Sequence, residues 1–426
     1  MGYRVGDLEL HPGIAGEFGY DSNFFYRGSK DNLAIVDVLR LRVTPSVSIS
    51  TLGPQRRGEG TEQQEPPKVN FRAGVAAIYN EYIRTKTYPT GEDPSKFRNV
   101  GALANFNLHI LPDRPWGAQF YGDLMRSIQP SNFSDTSYAF NRIQANAGGE
   151  IIWAPGGGLF DWRIGGRYDT TIFENDAYKG LNNSTGTINT RGRWRFLPRT
   201  ALMFDASQGF TRYTSRGANS FLLDSDPLRA RVGLSGLITQ YFGFLGMFGW
   251  GTTFSKAGGA GIPAQNYDGP IGQLQLTFYP TPPPGLADAP REASLTLSQI
   301  GLGYTRDFTN SYFGSFYTRD RGYLNISYFF AGRVLVALEG GVSRVHFPTV
   351  YYATVNQVRS NPFDEMRIDS SLFTEYRFTD SLGVNATLTY DLNNSKIMRT
   401  DPTDATRVDD LSWKRFTAFL GVRWFM

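Results

Sequence analysis

The sequence contains no cysteine, which excludes disulfides and thiolate metal sites. Histidine is nearly absent: His11, His109 and His346 are the only three in 426 residues. No run of about 18 apolar residues occurs, which excludes a transmembrane helix. No Gly-rich phosphate loop, metal-ligand spacing or nucleic-acid motif stands out, so neither a cofactor nor a metal is expected. The pI near 9.0 invites a nucleic-acid reading. That reading fails because the basic residues alternate with apolar ones instead of forming a surface run.

Glycine and aromatics are plentiful, at 47 residues and 15%, while mean hydropathy is −0.33 and the formal net charge is +4. Length alone suggests two or three soluble domains, but the patterning argues otherwise. In INTRGRWRFLPRTALMFDA, from Ile188, arginine occupies every second place: Arg191, Arg193 and Arg195. A helix, at about 100° per residue, would scatter them. A strand puts them on one face and Trp194 and Phe196 on the other. In a soluble sheet the apolar face is core. In a transmembrane barrel it meets lipid and the arginines face a wet lumen.

Alternation of this kind recurs about 18 times along the sequence, as in Val69, Phe71, Ala73, Val75, Ala77 and Tyr79, or Leu228, Ala230, Val232 and Leu234. Connections alternate too. Short ones such as HILPDRPWG, WAPGGGLF, FLPRTAL, FFAGRV and FTDSLG separate long polar ones such as FENDAYKGLNNSTG. Short periplasmic turns and long extracellular loops are the pattern of an outer-membrane barrel. Two connections on the short side are long, 53–67 and 279–290. Each is either a disordered insertion or a docking site for a periplasmic partner. Aromatics near strand ends (Trp116, Trp153, Phe196, Tyr241, Phe330, Phe378) suit an interfacial girdle. Alternation slips by one near Ser298 and Gln299, where a β-bulge is expected.

The expected fold is therefore all-β: one transmembrane antiparallel β-barrel over residues 1–426, of about 18 strands, with 16 as the runner-up. Its expected place is the bacterial outer membrane, in contact with the lipid bilayer. Export to that membrane needs a signal peptide. The opening MGYRVGDLEL has neither a basic start nor an apolar run, so a mature form is expected.

The closing FTAFLGVRWFM alternates without a break and resembles the C-terminal signature of outer-membrane barrels, with Met426 in place of the usual Phe. Near the start, IAGEFGYDSNFFYRG resembles the opening of the beta-barrel porin 2 family, which carries a turn like Tyr20, Asp21, Ser22 and Asn23. That family, broadly similar to the alginate-export barrels, is associated with moving extracellular polysaccharide. The resemblance implies movement of polysaccharide across the outer membrane; with the alternating arginines, the expected cargo is an acidic exopolysaccharide, delivered by periplasmic machinery.

Strand parity places Arg40, Arg42, Arg72, Arg163, Arg167, Arg191, Arg193, Arg195, Arg229 and Arg231 inside the barrel as candidate pore-lining residues. Between Arg163 and Arg231, parity finds only Asp161 and Asp205 as interior acids. Acids gather later, from Asp369 to Asp391. Two readings follow. The arginines are a cationic wall that draws anions in, or they brace the barrel through ion pairs such as Arg193 or Arg195 with Asp205. Export of the polymer is the leading function. A general or anion-preferring porin for small anions is the alternative, and a plugged structural or adhesive barrel comes third. No enzyme is expected. His11 sits before the first strand, His346 opens a loop, and His109 is a structural residue on a lumen face.

Overall fold

A computed structural model describes residues 2–30, 34–52, 68–88, 93–112, 114–127, 141–156, 158–174, 176–216, 222–256, 263–280, 298–311, 315–351, 358–400 and 408–426. The partner segment 53–67 lies outside these residues, as does 279–290 apart from Tyr279 and Pro280.

Each alternating stretch forms a strand paired with its sequence neighbour. In chain order these are β1 (Leu8–Asp21), β2 (Val38–Thr51), β3 (Val69–Arg84), β4 (Asn99–Ile110), β5 (Trp116–Ser127) and β6 (Arg142–Trp153). Then come β7 (Phe160–Phe173), β8 (Asn183–Leu197), β9 (Thr200–Tyr213), β10 (Leu228–Leu237), β11 (Phe242–Thr252) and β12 (Asp268–Phe278). The last six are β13 (Gln299–Asn310), β14 (Phe316–Phe330), β15 (Val334–Phe347), β16 (Phe363–Arg377), β17 (Leu382–Asn394) and β18 (Trp413–Phe425). All pairings are antiparallel, and β1 pairs with β18, so the sheet closes on itself. Closure satisfies the backbone groups of both edges, which a bilayer demands. A short strand, Tyr3–Val5, is an appendage on β1.

Apolar side chains point outward. Ile164, Val232, Leu276, Leu302 and Leu420 are all exposed, although each would seek burial in a soluble protein. Polar residues of the opposite parity are held inside. This is the polarity of a membrane-spanning barrel of the outer-membrane type. The rim of short turns is then periplasmic. At that rim Trp116, Trp153 and Trp162 are directly opposed on β5, β6 and β7, and Trp194 stands next on β8. Trp116 and Trp153 stack at 5.8 Å between centroids. At the other rim Phe24, Phe25 and Phe97, among the described loop residues, join Val38 and Tyr82 in a small apolar cluster.

The seam answers why Tyr20–Asn23 is written as it is. Asp21 is fully buried and takes the Arg415 guanidinium of β18. Ser22 donates its backbone N–H to Phe416, and its side-chain oxygen accepts from the Phe416 N–H at 2.8 Å. The Asn23 amide donates to the carbonyls of Arg27 and Lys414, at 2.8 and 2.9 Å. The motif is therefore a clasp between the first and last strands, not only a turn.

Three local expectations are corrected. Residues from Gln299 to Asn310 pair with β14 without a register shift, because Ser298 precedes the strand. The shift in the barrel wall falls between β8 and β9, where Arg195 and Phe196 together oppose Ala201. His11 lies within β1, not before it, and its Nδ1 is 2.8 Å from the Met426 carbonyl oxygen. His346 belongs to β15, with Nδ1 2.8 Å from an Asp364 carboxylate oxygen.

Candidate functional site: an arginine wall inside the barrel

Strands β7 to β10 carry seven of the candidate arginines on one face. Each is there because alternation gives every second residue to the lumen. The wall is marked off by two creases. At Gly165 a Cβ would run into the Gly149 carbonyl, and at Gly233 and Gly249 it would run into the carbonyls of Gly246 and Ala230. A side chain at any of these positions would have to displace backbone.

Five of the seven arginines hold carboxylates. Arg163 donates to Asp161 on its own strand at 3.1 Å, and Arg167 donates to Asp169 at 2.9 Å. Arg231 takes Asp205 across the β9–β10 pair at 3.0 Å. Arg191 faces Asp205 in register but reaches the other way, to Glu150 on β6, at 2.8 Å. Gly165 lies between the two strands with no side chain to block the path. Asn189 shares the same carboxylate at 3.3 Å. Arg229 reaches Asp307 on β13 at 3.1 Å and lies 4.0 Å over the Phe308 ring. In register with it on the strands between are Gly251 and Gly269, again side-chain-free.

Arg193 and Arg195 differ. Among the described residues neither makes an ion pair. Directly across from Arg193 stand Asp161 and Met203. Asp161 is already taken by Arg163 and Asp205 by Arg231, so the pairing expected between Asp205 and Arg193 or Arg195 does not form. Arg193 lines a recess of about 490 Å³ together with Arg163, Arg191, Arg231, Asp161 and Asp205. Arg195 is left out of it, since it belongs to the two-for-one step opposite Ala201.

The remaining candidates divide. Arg40 is buried, with Asn80 at 3.3 Å and Asp21 at 3.8 Å, under Tyr82 and Phe419. It braces the seam and offers nothing to a solute. Arg42 pairs with Glu17. Arg72 has no ion-pair partner among the described residues and lines a second recess. The acids gathered at Asp369 to Asp391 are matched by cations. Asp369 holds Arg319 at 3.0 Å as well as Arg321, two interior arginines that the parity count omitted. Glu375 is fully buried between Arg377 and Arg423. Asp169 and Asp307 were also missed. The signal for Asp169 was its spacing of two from Arg167, which keeps both on one face.

No family model matches the chain, and no curated protein sequence does. Among solved structures it is similar to the outer membrane protein OpdK of Pseudomonas aeruginosa, at 9% identity over 98% of this chain and 99% of that one, with a TM-score of 0.46. It is similar to OccAB4 of Acinetobacter baumannii at 10% identity over 98% of each chain, with a TM-score of 0.44. It is also similar to the siderophore receptor PirA of Pseudomonas aeruginosa, at 9% identity over all of this chain and 81% of that one, with a TM-score of 0.45.

Proposed function

We propose that this barrel is a passive diffusion channel of the outer membrane that prefers small organic anions. The observation that carries the reading is Arg193, which lines a wall recess and has no ion-pair partner among the described residues. A barrel of this strand number encloses an aqueous lumen. Its low-dielectric wall focuses the field of an unpaired guanidinium and raises the local concentration of anions. The planar fork accepts a carboxylate through two parallel hydrogen bonds. Asp161 and Asp205 in the same recess temper that attraction, which lets a bound anion leave again.

Export of an acidic exopolysaccharide, the leading expectation from the sequence, needs free cations in an unbroken ladder along the barrel axis. Here five of seven arginines already hold carboxylates. The two that do not lie next to each other near the periplasmic end of β8. The small-anion reading therefore has the better support.

The test is the reversal potential in planar bilayers under a chloride gradient. Wild type should be anion-selective, and Arg193→Gln combined with Arg195→Gln should move the potential towards zero. Equal potentials in the two proteins, cation selectivity in wild type, or no conductance at all would each overturn the reading.

A further inference from the structure

The periplasmic ends of β1, β2 and β3 form a second recess, of about 560 Å³, lined by His11, Ser46, Ser48, Ser50, Asn70 and Arg72 among others. Its chemistry differs from that of the arginine wall. Ser46, Ser48 and Ser50 share the lumen face of β2, each about 6.8 Å from the next. Arg72 stands directly across from Ser50 on β3, while Gly74 is opposite Ser48 and leaves room above it. On the other flank Ser48 faces His11 and Ser50 faces Glu9. Ser46 is tied to the Gly13 carbonyl, and Asn70 accepts from Thr51. Ser48, Ser50 and Arg72 have no side-chain partner among the described residues. The recess therefore offers one free guanidinium beside free hydroxyls and the donor amide of Asn70, with Glu9 engaged by the Gly2 N–H at 3.2 Å.

We propose that this recess is a binding subsite for a polyhydroxylated carboxylate, the chemistry of a sugar acid. The proposal deepens the reading of the lumen as an anion path and rests on it for its role in transport. Arg72 takes the carboxylate as a two-pronged pair. Ser48 and Ser50 each donate and accept, and the Asn70 amide donates, as a row of vicinal hydroxyls requires. A chain of six carbons spans about the distance between successive serines on one strand face. An aliphatic carboxylate of equal length gains the Arg72 contact alone. It also leaves the hydroxyls of the recess without partners where they lose water, which works against its binding. The volume falls in the range of ordinary small-molecule sites, about 300–1,000 Å³.

The test uses gluconate and hexanoate, of equal carbon number and charge, titrated calorimetrically into the full-length barrel in detergent. Gluconate should bind at least about tenfold more tightly than hexanoate, the size of effect that a few hydrogen bonds confer. Arg72→Gln should weaken both, with Arg72→Lys retaining part of the affinity. Ser48→Ala with Ser50→Ala should abolish the preference, bringing the gluconate affinity down to that of hexanoate. Arg193→Gln should leave the preference intact, because the two recesses are separate. Equal binding of the two probes, no gluconate binding, or indifference to Arg72→Gln would overturn the proposal. Calorimetry does not depend on conduction, so a silent barrel that still prefers gluconate defeats the channel reading and spares the subsite.

Discussion

Asp21 of the first strand and Arg415 of the last are joined side chain to side chain, Nε to Oδ1 at 2.8 Å, across 394 residues of sequence. The carboxylate is fully buried and the guanidinium nearly so. Arg40 approaches the same carboxylate at 3.8 Å. Asp21→Asn removes a buried negative charge that both cations face. Breaking such a buried pair costs about 3–5 kcal/mol. The variant should unfold at markedly lower denaturant than wild type, read by the gel mobility of the folded barrel. An unchanged midpoint would mean that the clasp contributes no stability.

Glu150 gives a prediction of opposite sign to the loss of a free arginine. It is nearly buried and holds Arg191 and Asn189 over Gly165. Glu150→Gln frees Arg191 as a third unpaired guanidinium of the β7–β10 wall and removes a negative charge. Anion selectivity should rise, by a shift of reversal potential away from zero. An unchanged potential would place Glu150 outside the field that solutes feel.

The creases can be tested by single methyl groups. Gly233→Ala and Gly249→Ala place a Cβ against a backbone carbonyl, which cannot swing away. Overpacking of this kind costs about 1–3 kcal/mol each. Gly16→Ala and Gly186→Ala meet nothing within 4 Å and serve as matched controls on other strands. Refolding yield into lipid vesicles should drop for the first pair only. Equal yields for all four would show that the barrel turns these corners without glycine.

Asp37, just outside the membrane at the start of β2, links the first extracellular loop to the second. Burial would raise its carboxyl, but hydrogen bonds from Tyr88, Thr85 and Lys86 outweigh that and hold it down to about 2. A depressed carboxylate stabilises fully above its unfolded value of about 3.9, and the contribution is lost as pH falls through the folded value. Between about pH 4 and pH 2 the two loops should come apart, seen as faster cleavage by pepsin. Asp37→Asn should be cleaved readily across that whole window. A wild-type rate that ignores pH there would mean the linkage does not hold the loops.

Much of this was legible in the alternation. The strands and their outward face follow from a side-chain period of two, and the short and long rims from the alternating lengths of the connections. Parity also placed Arg163 to Arg231 on one interior wall. Pairing was not legible. Arg191 binds Glu150 two strands away because Gly165 has no side chain, and Arg229 passes over Gly251 and Gly269 to reach Asp307. Such reach depends on what neighbouring strands lack, which no single strand records. The bulge at Arg195 was hidden for a related reason, since Arg191, Arg193 and Arg195 alternate without a break and only the pairing with β9 shows the extra residue.

The tryptophan row behind the arginine wall sets an electrical depth. Trp116, Trp162 and Trp194 are exposed on the outer face of the short-turn rim, and amphipathic rings at a barrel rim favour headgroup depth, here on the periplasmic side. Arg193 is the next residue to Trp194 on the same strand, so the unpaired guanidinium lies at nearly that height. Most of the insulating slab is then on its extracellular side. An anion arriving from outside meets it last, and one arriving from the periplasm meets it almost at once. A blocker added to the periplasmic face should therefore act with little dependence on applied voltage, and the same blocker added outside should act with a steep one.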